Sequence, residues 1–439
     1  MSIFRAYDIR GVFGKDITEQ VALGIGKALG TNLKGKEKVC VGYDTRPSSV
    51  PLFKSFTAGL LSTGCDVIDL GLVSNPMTYF FSMKNRMFGC YITASHNPTN
   101  WNGFKMIRQN GTSFIEEGRE LERAYNLGKF KSGKGRMTKA DAIGAYQEFM
   151  LSKFKGLKCK VVVDFLGGAG KMSEKLLKKT GLDVIPLHTL SDASLYGFHM
   201  LEPWGVLLDS AKKAVKEEKA DFGVAFDCDA DRSIFISPDG KYVDPSVMVG
   251  LFAKNALRRK GKVIATFDCA SEIRELVKNL GGELIWSRIG HSFIEERLVE
   301  EDALLAGEES SHYFFGDIYP FSDGALSALK LCSIIKETGK SFDQLLGEID
   351  FHPVEKIYIN AKTDEKKDKT VDEMRLRHPE SINIYDGFKI ILNETEWIIV
   401  RASQTLPEVN LCMEAKSDKR RKEMIKKYSA EIRSLIHKA

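Results

Sequence analysis

The chain has 439 residues, 43% of them hydrophobic and 28% charged, so its composition is that of a globular protein and its length predicts two to four domains. The formal net charge of +5 is mild, which argues against a nucleic-acid-binding protein and favours a small anionic ligand. No signal peptide or membrane-spanning apolar run is found, and the eight cysteines form no C-x-x-C pair, so we expect a cytoplasmic protein with reduced thiols and no membrane contact.

Strand patterns alternate with amphipathic helical patterns along the chain, which predicts an α/β fold. Three strand patterns end in aspartate and lead into a small-residue loop and a helical pattern, at residues 38–44, 160–164 and 262–268. They indicate three related α/β units. The composition changes near Phe351, and the basic segment 416–439 carries apolar residues at helical spacing, which predicts an amphipathic helix.

The first stretch with chemical interest is Phe4–Gly11, which places two arginines and Tyr7 around an expected turn. Guanidinium groups bind phosphate well, because two of their N–H groups match two phosphate oxygens. The alternative is a surface loop with an ordinary Asp–Arg pair.

A candidate nucleophile, Ser95, follows the predicted strand that ends at Ile92. The loop Thr93–Pro98 sets it beside an imidazole and an amide and stops at a proline. It lacks the G-x-S-x-G pattern of α/β-hydrolases, and an Asn-Pro turn with a solvated serine is the alternative. The segment 44–46 could brace this loop, and Lys105 could reach the same site to stabilise phosphate or move a proton.

The segment Phe226–Arg232 carries a carboxylate at every second residue, at Asp227, Asp229 and Asp231. In an extended backbone alternate side chains share a face, so we expect the three to converge. Together they would repel one another unless a cation neutralised them, and Mg²⁺ suits such oxygen ligands. An EF-hand is excluded by its spacing. A solvated acidic turn is disfavoured, because the flanking segments are apolar strand patterns.

Nucleotide-binding motifs are missing from the sequence. The glycine-rich segment Asp164–Gly170 lacks the G-x-G-x-x-G spacing, so it predicts a tight strand-to-helix turn. No Walker A sequence occurs, so ATP is not the implied phosphate source.

Three further stretches carry polar groups suited to a phosphosugar. His291 follows an arginine and a glycine, and Gly307–His312 places a carboxylate and a hydroxyl two residues apart, so that each could contact a different sugar hydroxyl. Val400–Pro407 offers a guanidinium, hydroxyls and an amide in one turn, as a phosphate cradle would. The alternatives are structural histidines and a polar hairpin loop.

Taken together, these stretches resemble the α-D-phosphohexomutase superfamily, and within it the phosphomannomutase/phosphoglucomutase branch. Four motifs appear in the family's order and span nearly the whole chain: TASHNP at Thr93–Pro98, DCDADR at Asp227–Arg232, GEESSH at Gly307–His312 and RASQT at Arg401–Thr405. The opening FRAYDIRG resembles this branch rather than the phosphoglucosamine mutases. The sequence departs from the family at Gln404, where asparagine is usual, and at Cys228, Ala230 and Ser311, where glycine is common.

The resemblance implies a heart-shaped enzyme of four domains around a central cleft. Three related α/β domains would cover residues 1–145 with the phosphoserine loop, 146–245 with the metal loop and 246–350 with the sugar-recognition loop. A smaller α+β domain, 351–439, would carry the phosphate-binding loop.

The resemblance also implies roles for individual residues. Ser95 would be a phosphoserine, and one Mg²⁺ would be bound by a phosphoserine oxygen with Asp227, Asp229 and Asp231. Lys105 and Arg232 would neutralise phosphate charge. Contributors to proton transfer would be Tyr7, Arg10, Lys105 and His291. The sugar hydroxyls would be read by Glu308 and Ser310, with His312 beside them. The phosphate that is not transferred would be held by Arg401, Ser403, Gln404 and Thr405.

The predicted function is therefore interconversion of hexose 1-phosphate and hexose 6-phosphate, with mannose or glucose, through a phosphoserine and a hexose 1,6-bisphosphate that also serves as activator. Alternatives are a phosphoglucosamine mutase, a serine- and metal-dependent sugar phosphatase and a non-catalytic phosphosugar sensor. The expected partner is a small phosphosugar, with no nucleic acid and no membrane, and the chain could be a monomer or a homo-oligomer.

Overall fold

A computed structural model describes residues 3–5, 8–199, 203, 205–384, 387–403 and 406–438 of the chain. They form two compact units. The first unit comprises residues 1–243 and 311–344, and the second comprises residues 244–310 and 345–439.

A six-stranded sheet opens the first unit. Its strands are β1 (Ile9–Val12), β2 (Lys38–Tyr43), β3 (Asp66–Leu72), β4 (Phe88–Ile92), β5 (Trp101–Ile107) and β6 (Met137–Lys139). Their order is β1-β5-β4-β2-β3-β6; β2, β3, β4 and β6 run parallel, and β5 is antiparallel to both of its neighbours. The accompanying helices are α1 (Glu19–Asn32), α2 (Ser49–Leu61), α3 (Asn75–Asn85), α4 (Glu116–Leu127) and α5 (Ala142–Lys153).

Local sequence explains where these helices begin and how closely they pack. The Thr18 hydroxyl accepts a hydrogen bond from the Val21 amide at 3.2 Å and so caps α1. Helices α1 and α2 meet at Gly26 and Gly59, where a Cβ on Gly26 would lie 2.1 Å from the Phe56 carbonyl oxygen. Only glycine allows this approach of two backbones.

A four-stranded sheet follows in the same unit. Its elements are β7 (Lys160–Asp164), α6 (Glu174–Lys179), β8 (Asp183–Leu187), α7 (Asp209–Glu217), β9 (Phe222–Phe226) and β10 (Ser233–Ile236), with short 3₁₀ helices at Ala169–Ser173, Ala193–Tyr196 and Gly205–Leu208. The order is β10-β9-β7-β8, and only β10 is antiparallel to its neighbour. The expected strand-to-helix turn after Asp164 is confirmed, with Leu166 and Gly167 at φ 46° and 69°.

The second unit begins with a parallel sheet in which β11 lies between its two partners. The elements are α8 (Pro245–Ala256), β11 (Lys262–Thr266), α9 (Ile273–Asn279), β12 (Glu283–Ser287), α10 (His291–Glu300) and β13 (Leu305–Gly307). The segment 311–344 belongs to the first unit and contains β14 (Tyr313–Phe315) and α11 (Gly324–Thr338), and α12 (Phe342–Leu346) lies where the chain returns to the second unit.

An antiparallel sheet with two helices completes the second unit. Its elements are β15 (Val354–Asn360), α13 (Asp364–Arg377), β16 (Ile382–Asn383), β17 (Gly387–Asn393), β18 (Glu396–Ala402), β19 (Glu408–Glu414) and α14 (Asp418–Lys438), and the strand order is β15-β19-β18-β17-β16. The expected C-terminal amphipathic helix is confirmed, because Tyr428, Ile432 and Leu435 of α14 are buried in the core of this sheet.

The α/β class is thus confirmed, with a smaller β-rich C-terminal part. The four domain boundaries stay a prediction. All eight cysteines are buried and none forms a disulfide. Among the described residues, no helix is both long and apolar enough for a membrane crossing.

Candidate active site

Ser95 lies in the loop that connects β4 to β5, and its side chain is buried, with 2% of the residue exposed. Its backbone is left-handed, at φ 49°, and its amide donates to Thr93 Oγ1 at 2.8 Å. Its hydroxyl donates to Asp227 Oδ2 at 2.9 Å. A sharply turned loop therefore directs the Ser95 hydroxyl at a carboxylate of the second sheet.

Arg46 braces this loop from the end of β2. Its guanidinium donates to four carbonyl oxygens of the loop and its end, those of Ser95 (2.6 Å), Asn97 (2.9 Å), Pro98 (2.7 Å) and Trp101 (3.2 Å). Because a guanidinium carries five N–H groups in one plane, it can bind several carbonyls at once. The expectation that residues 44–46 contact the serine loop agrees with these distances.

Asp44 completes the brace from the same segment. Its carboxylate accepts hydrogen bonds from Arg46 Nε at 3.1 Å, from the Thr93 hydroxyl at 2.7 Å and from the Ser49 hydroxyl at 2.5 Å. Asp44 therefore joins Arg46 to the first residue of the loop.

The three aspartates lie in the connection between β9 and β10, and none is more than 2% exposed. Their carboxylates each offer an oxygen within 4.8 Å of the other two. The expectation that an extended backbone would bring them together is wrong, because the connection is a tight turn in which Ala230 adopts φ 63°. The turn, not the alternation of a strand, makes the carboxylates converge.

Lys105 supplies a positive charge at this cluster. It lies on β5 opposite Tyr91 of β4, and its ammonium is 2.8 Å from Asp229 Oδ2 and 2.7 Å from Asp231 Oδ2. Although burial disfavours the charge, these two carboxylates raise the pKa of Lys105 above its usual value. One ammonium still leaves three acids together, and burial with the neighbouring carboxylates raises the pKa of Asp227 well above its usual value.

One carboxylate oxygen of the cluster is available to bind a divalent cation. Asp229 Oδ1 is buried and has no hydrogen-bond partner in the described part of the chain. The available donors are the oxygens of three carboxylates and the Ser95 hydroxyl, which suit a hard cation rather than a soft one. The residues present therefore fit a hard divalent metal ion.

A second group of possible ligands, Glu272, His352 and Glu414, lies in the second unit. Both Glu414 carboxylate oxygens accept hydrogen bonds from Ser271, and His352 contacts Glu272. Glu272 and His352 are only partly buried, whereas all three aspartates are buried, so the cluster around Asp229 has the greater need of a cation and is the stronger candidate.

Two arginines that were predicted to belong to the site lie beside the serine loop and the aspartates in the first unit. Arg10 donates to Asn97 Oδ1 at 2.8 Å and pairs with Asp8 at 2.6 Å. Arg232 Nε lies 3.9 Å from Asp227 Oδ2. Burial and these two arginines lower the pKa of His96 well below its usual value, so this imidazole is neutral at pH 7.

His312 lies against the acidic turn of the first unit. Its Nε2 atom is 3.2 Å from Asp231 Oδ1. Asn75, which the sequence analysis missed, donates through Nδ2 to Asp231 Oδ2 at 2.8 Å, and its amide donates to the Asp229 carbonyl oxygen at 2.9 Å. Its sequence context signals only the start of α3, so no local pattern could have indicated this contact.

The second unit holds Glu308 and Ser310 next to the start of α10. Glu308 Oε1 accepts a hydrogen bond from the Gly290 amide at 2.7 Å, and the Ser310 hydroxyl donates to Glu308 Oε2 at 3.2 Å. Gly290 adopts φ 127°, which favours glycine. His291 is buried as the first residue of α10, with Nδ1 3.3 Å from Glu295 Oε1.

Arg401 and Ser403 lie where β18 ends in the second unit. The Ser403 hydroxyl accepts a hydrogen bond from the Leu406 amide at 3.2 Å. Buried Lys367, which the sequence analysis missed, donates to the Ser403 carbonyl oxygen at 2.9 Å. The predicted site residues Tyr7, Gln404 and Thr405 lie outside the described residues.

Comparison with known proteins gives matches along most of the chain. The family models for alpha/beta/alpha domains I, II and III of phosphoglucomutase/phosphomannomutase match residues 1–131, 140–240 and 244–350. A phosphomannomutase/phosphoglucomutase of Pseudomonas putida is 34% identical, with 95% of this chain and 92% of the relative covered. A probable phosphoglucosamine mutase of Thermococcus gammatolerans is 32% identical, with 99% of both covered.

A solved structure shares the fold over nearly the full length. The phosphoglucomutase/phosphomannomutase family protein of Burkholderia thailandensis is 29% identical, with a TM-score of 0.85, and the match covers 99% of this chain and 97% of that one.

Proposed function

The chain belongs to the phosphoglucomutase/phosphomannomutase family, and from this premise we propose that it interconverts hexose 1-phosphates and hexose 6-phosphates. The proposed hexoses are glucose and mannose, the sugars in the name of the Pseudomonas putida relative. The observation that carries the proposal is the 2.9 Å contact between the Ser95 hydroxyl and Asp227, inside the acidic cluster.

The proposed cofactor is one Mg²⁺ held by Asp227, Asp229, Asp231 and an oxygen of phosphorylated Ser95. The unpartnered Asp229 Oδ1 and the all-oxygen donor set support this choice. Bound there, Mg²⁺ would neutralise charge on the transferring phosphoryl group.

In the proposed reaction, phosphorylated Ser95 gives its phosphoryl group to the free hydroxyl of the substrate. The bond from phosphorus to Ser95 Oγ breaks, a bond to the sugar oxygen forms, and a hexose 1,6-bisphosphate results. After the intermediate reorients, Ser95 takes back the other phosphate. Such transfers need positioning and charge neutralisation more than covalent help. The braced serine loop supplies the first, and Lys105 with Arg10 and Arg232 would supply the second.

The remaining residues are assigned by the same proposal. Glu308 and Ser310 would read sugar hydroxyls, with His312 nearby, and His291 and Tyr7 would contribute to proton transfer. The phosphate that is not being transferred would be held by Arg401, Ser403, Gln404 and Thr405. A hexose 1,6-bisphosphate would serve as activator, because it can phosphorylate Ser95.

A second candidate, phosphoglucosamine mutase, is favoured by the 32% identity to the Thermococcus gammatolerans relative. It uses the same phosphoryl chemistry, and only the group at sugar carbon 2 differs. Relative turnover of glucosamine 1-phosphate therefore separates the two.

One experiment tests the proposal. Purified protein with Mg²⁺ and glucose 1,6-bisphosphate is given glucose, mannose and glucosamine 1-phosphates in parallel, and both the 6-phosphates and inorganic phosphate are measured. We expect rapid isomerisation of glucose and mannose 1-phosphates, little free phosphate, and loss of turnover in Ser95→Ala. Normal turnover by Ser95→Ala would refute the proposal, and phosphate release that rivals isomerisation would favour a phosphatase.

A further inference from the structure

Glu309 anchors the loop that follows β13 to the interior of the second unit. Glu309 is 6% exposed, and its Oε2 atom accepts a hydrogen bond from the Ser246 hydroxyl at 2.5 Å. That hydroxyl accepts in turn from the Ala270 amide at 2.9 Å. Glu309 is thus held in the interior of the second unit by Ser246, whereas Glu308 accepts a hydrogen bond from the Gly290 amide.

Lys356 of β15 provides a second anchor for the same residue. Its ammonium donates to the Glu309 carbonyl oxygen at 3.0 Å and lies 3.4 Å from Asp268 Oδ2. Asp268 is 3% exposed and accepts a hydrogen bond from the Thr266 hydroxyl at 2.6 Å. A strand of the C-terminal sheet therefore holds the main chain of this loop through one lysine.

The charges of this network support a fixed contact. Burial disfavours charge on Lys356, but Asp268 and Glu309 raise the pKa of its amine above the usual value. Burial and the nearby Asp244 raise the pKa of Glu309 well above its usual value. Lys356 keeps 23% of its side chain exposed, but displacing its ammonium would leave Asp268, whose side chain is 4% exposed, without this cation, and a buried charge without its partner is costly.

The anchored residue separates two residues with proposed sugar contacts. Glu308 and Ser310 flank Glu309, and their side chains bond each other at 3.2 Å, so the main chain at Glu309 determines their spacing. Lys356 shares its sheet with Arg401, because β15 pairs with β19 and β19 pairs with β18.

We propose that Lys356 and Glu309 are positioning residues that hold Glu308 and Ser310 in register for the hexose and join the sugar loop to the sheet of the phosphate loop. This rests on the proposed function, in which Glu308 and Ser310 bind the sugar. Neither Lys356 nor Glu309 is assigned a contact with substrate.

The test compares Lys356→Met with Lys254→Met in the full-length protein. Lys254 is a matched control, because it also forms an ion pair in the second unit, with Glu348 at 2.7 Å, but its side chain is 43% exposed and its described contacts do not involve residues 307–310. We measure hydrogen exchange of the amides of residues 307–310 without sugar, and kcat and KM for glucose and mannose 1-phosphates.

We expect Lys356→Met to speed exchange of these amides by roughly tenfold and to raise KM by roughly tenfold, with kcat within about threefold of the parent. We also expect the ratio of kcat/KM for the two sugars to change, which a general loss of folded protein would not do. Lys356→Arg keeps the positive charge, so its KM should lie between the values of the parent and of Lys356→Met. Lys254→Met should behave like the parent protein.

Unchanged exchange together with unchanged KM in Lys356→Met would overturn the proposal. If that variant fails to fold, Ser246→Ala removes one hydroxyl from the Glu309 anchor and is judged by the same two measurements. If the parent protein turns over no hexose phosphate, the proposed function fails, while the exchange data still decide whether Lys356 holds the loop.

Discussion

The Ser95 hydroxyl donates a hydrogen bond to Asp227 at 2.9 Å, although 132 residues separate the two in the chain. Ser95 comes from a loop of the six-stranded sheet, and Asp227 comes from a turn of the four-stranded sheet. A phosphoryl group on Ser95 would therefore lie at the acidic cluster, where its charge requires cations.

Asp229→Asn should weaken metal binding, since it removes a charge from the cluster and replaces one of its two carboxylate oxygens. We expect kcat to fall by roughly two to three orders of magnitude and Mg²⁺ to raise the melting temperature of metal-free protein less than in the parent. Titration of turnover and of melting temperature with Mg²⁺ measures both effects. Asp239→Asn, an exposed acid beyond β10, is the control. Parental Mg²⁺ dependence in Asp229→Asn would contradict the assignment.

Lys105→Met should destabilise the metal-free protein by roughly 3–5 kcal/mol, because it leaves Asp229 and Asp231 buried without their ammonium partner. Added Mg²⁺ should recover part of this loss, since the ion neutralises the same carboxylates. Urea unfolding in EDTA and in Mg²⁺ measures the difference, with Lys139→Met on the exposed strand β6 as control. If Lys105→Met loses the same stability in EDTA and in Mg²⁺, the ion does not neutralise the carboxylates that Lys105 contacts.

Arg46→Lys should loosen the serine loop, because an ammonium cannot reach the four carbonyl oxygens that the guanidinium binds. We expect a loss of roughly 2–4 kcal/mol in the free energy of unfolding and at least a tenfold fall in kcat. Arg119→Lys, in an exposed pair with Glu116, is the control. A variant with parental kcat would show that the brace does not position Ser95.

Lys389 should make stability depend on alkaline pH. Its ammonium lies 3.9 Å from the Trp397 ring centroid and donates to the Phe267 carbonyl oxygen, and burial lowers its pKa to about 8. The unfolded chain then binds more protons between about pH 8 and 10.5, so this group makes the protein more stable as pH rises through that range.

The measurement is the free energy of unfolding of the parent and of Lys389→Met at pH 7.5, 8.5 and 9.5. The parent should gain stability relative to the variant, by about 2 kcal/mol between pH 7.5 and pH 9.5. Lys369→Met, at an exposed position of α13, should show no such trend. A constant difference between parent and Lys389→Met would rule out the lowered pKa.

Ser311→Gly should stabilise the protein, since Ser311 adopts a left-handed backbone at φ 68°, where only glycine is unstrained. We expect a gain of roughly 0.5–1 kcal/mol in thermal or urea unfolding. Ser152→Gly, at an exposed position in α5, should instead destabilise. A loss of stability in Ser311→Gly would mean that the serine side chain itself contributes more than the backbone strain costs.

Most helices and strands were predictable, because the pattern of neighbouring residues specifies them. The strand that leads to Ser95, the apolar strands β9 and β10 and the spacing of Tyr428, Ile432 and Leu435 each depend on neighbours within a few residues. The order of strands was not predictable, since pairing depends on contacts between distant segments. The acidic turn illustrates the limit, because Ala230 in a left-handed conformation replaced the expected extended backbone.

The sequence by itself determined the chemistry of this protein: a serine before an Asn-Pro turn, three alternating aspartates, and polar loops suited to a phosphosugar. Only the tertiary structure decided which side chains meet, as with Arg46 on the serine loop, Asn75 on Asp231 and Lys356 on Glu309. The physical reason is that residue type and local conformation are written in neighbouring positions. Contacts between residues 47 to 156 positions apart, in contrast, exist only once whole sheets have packed.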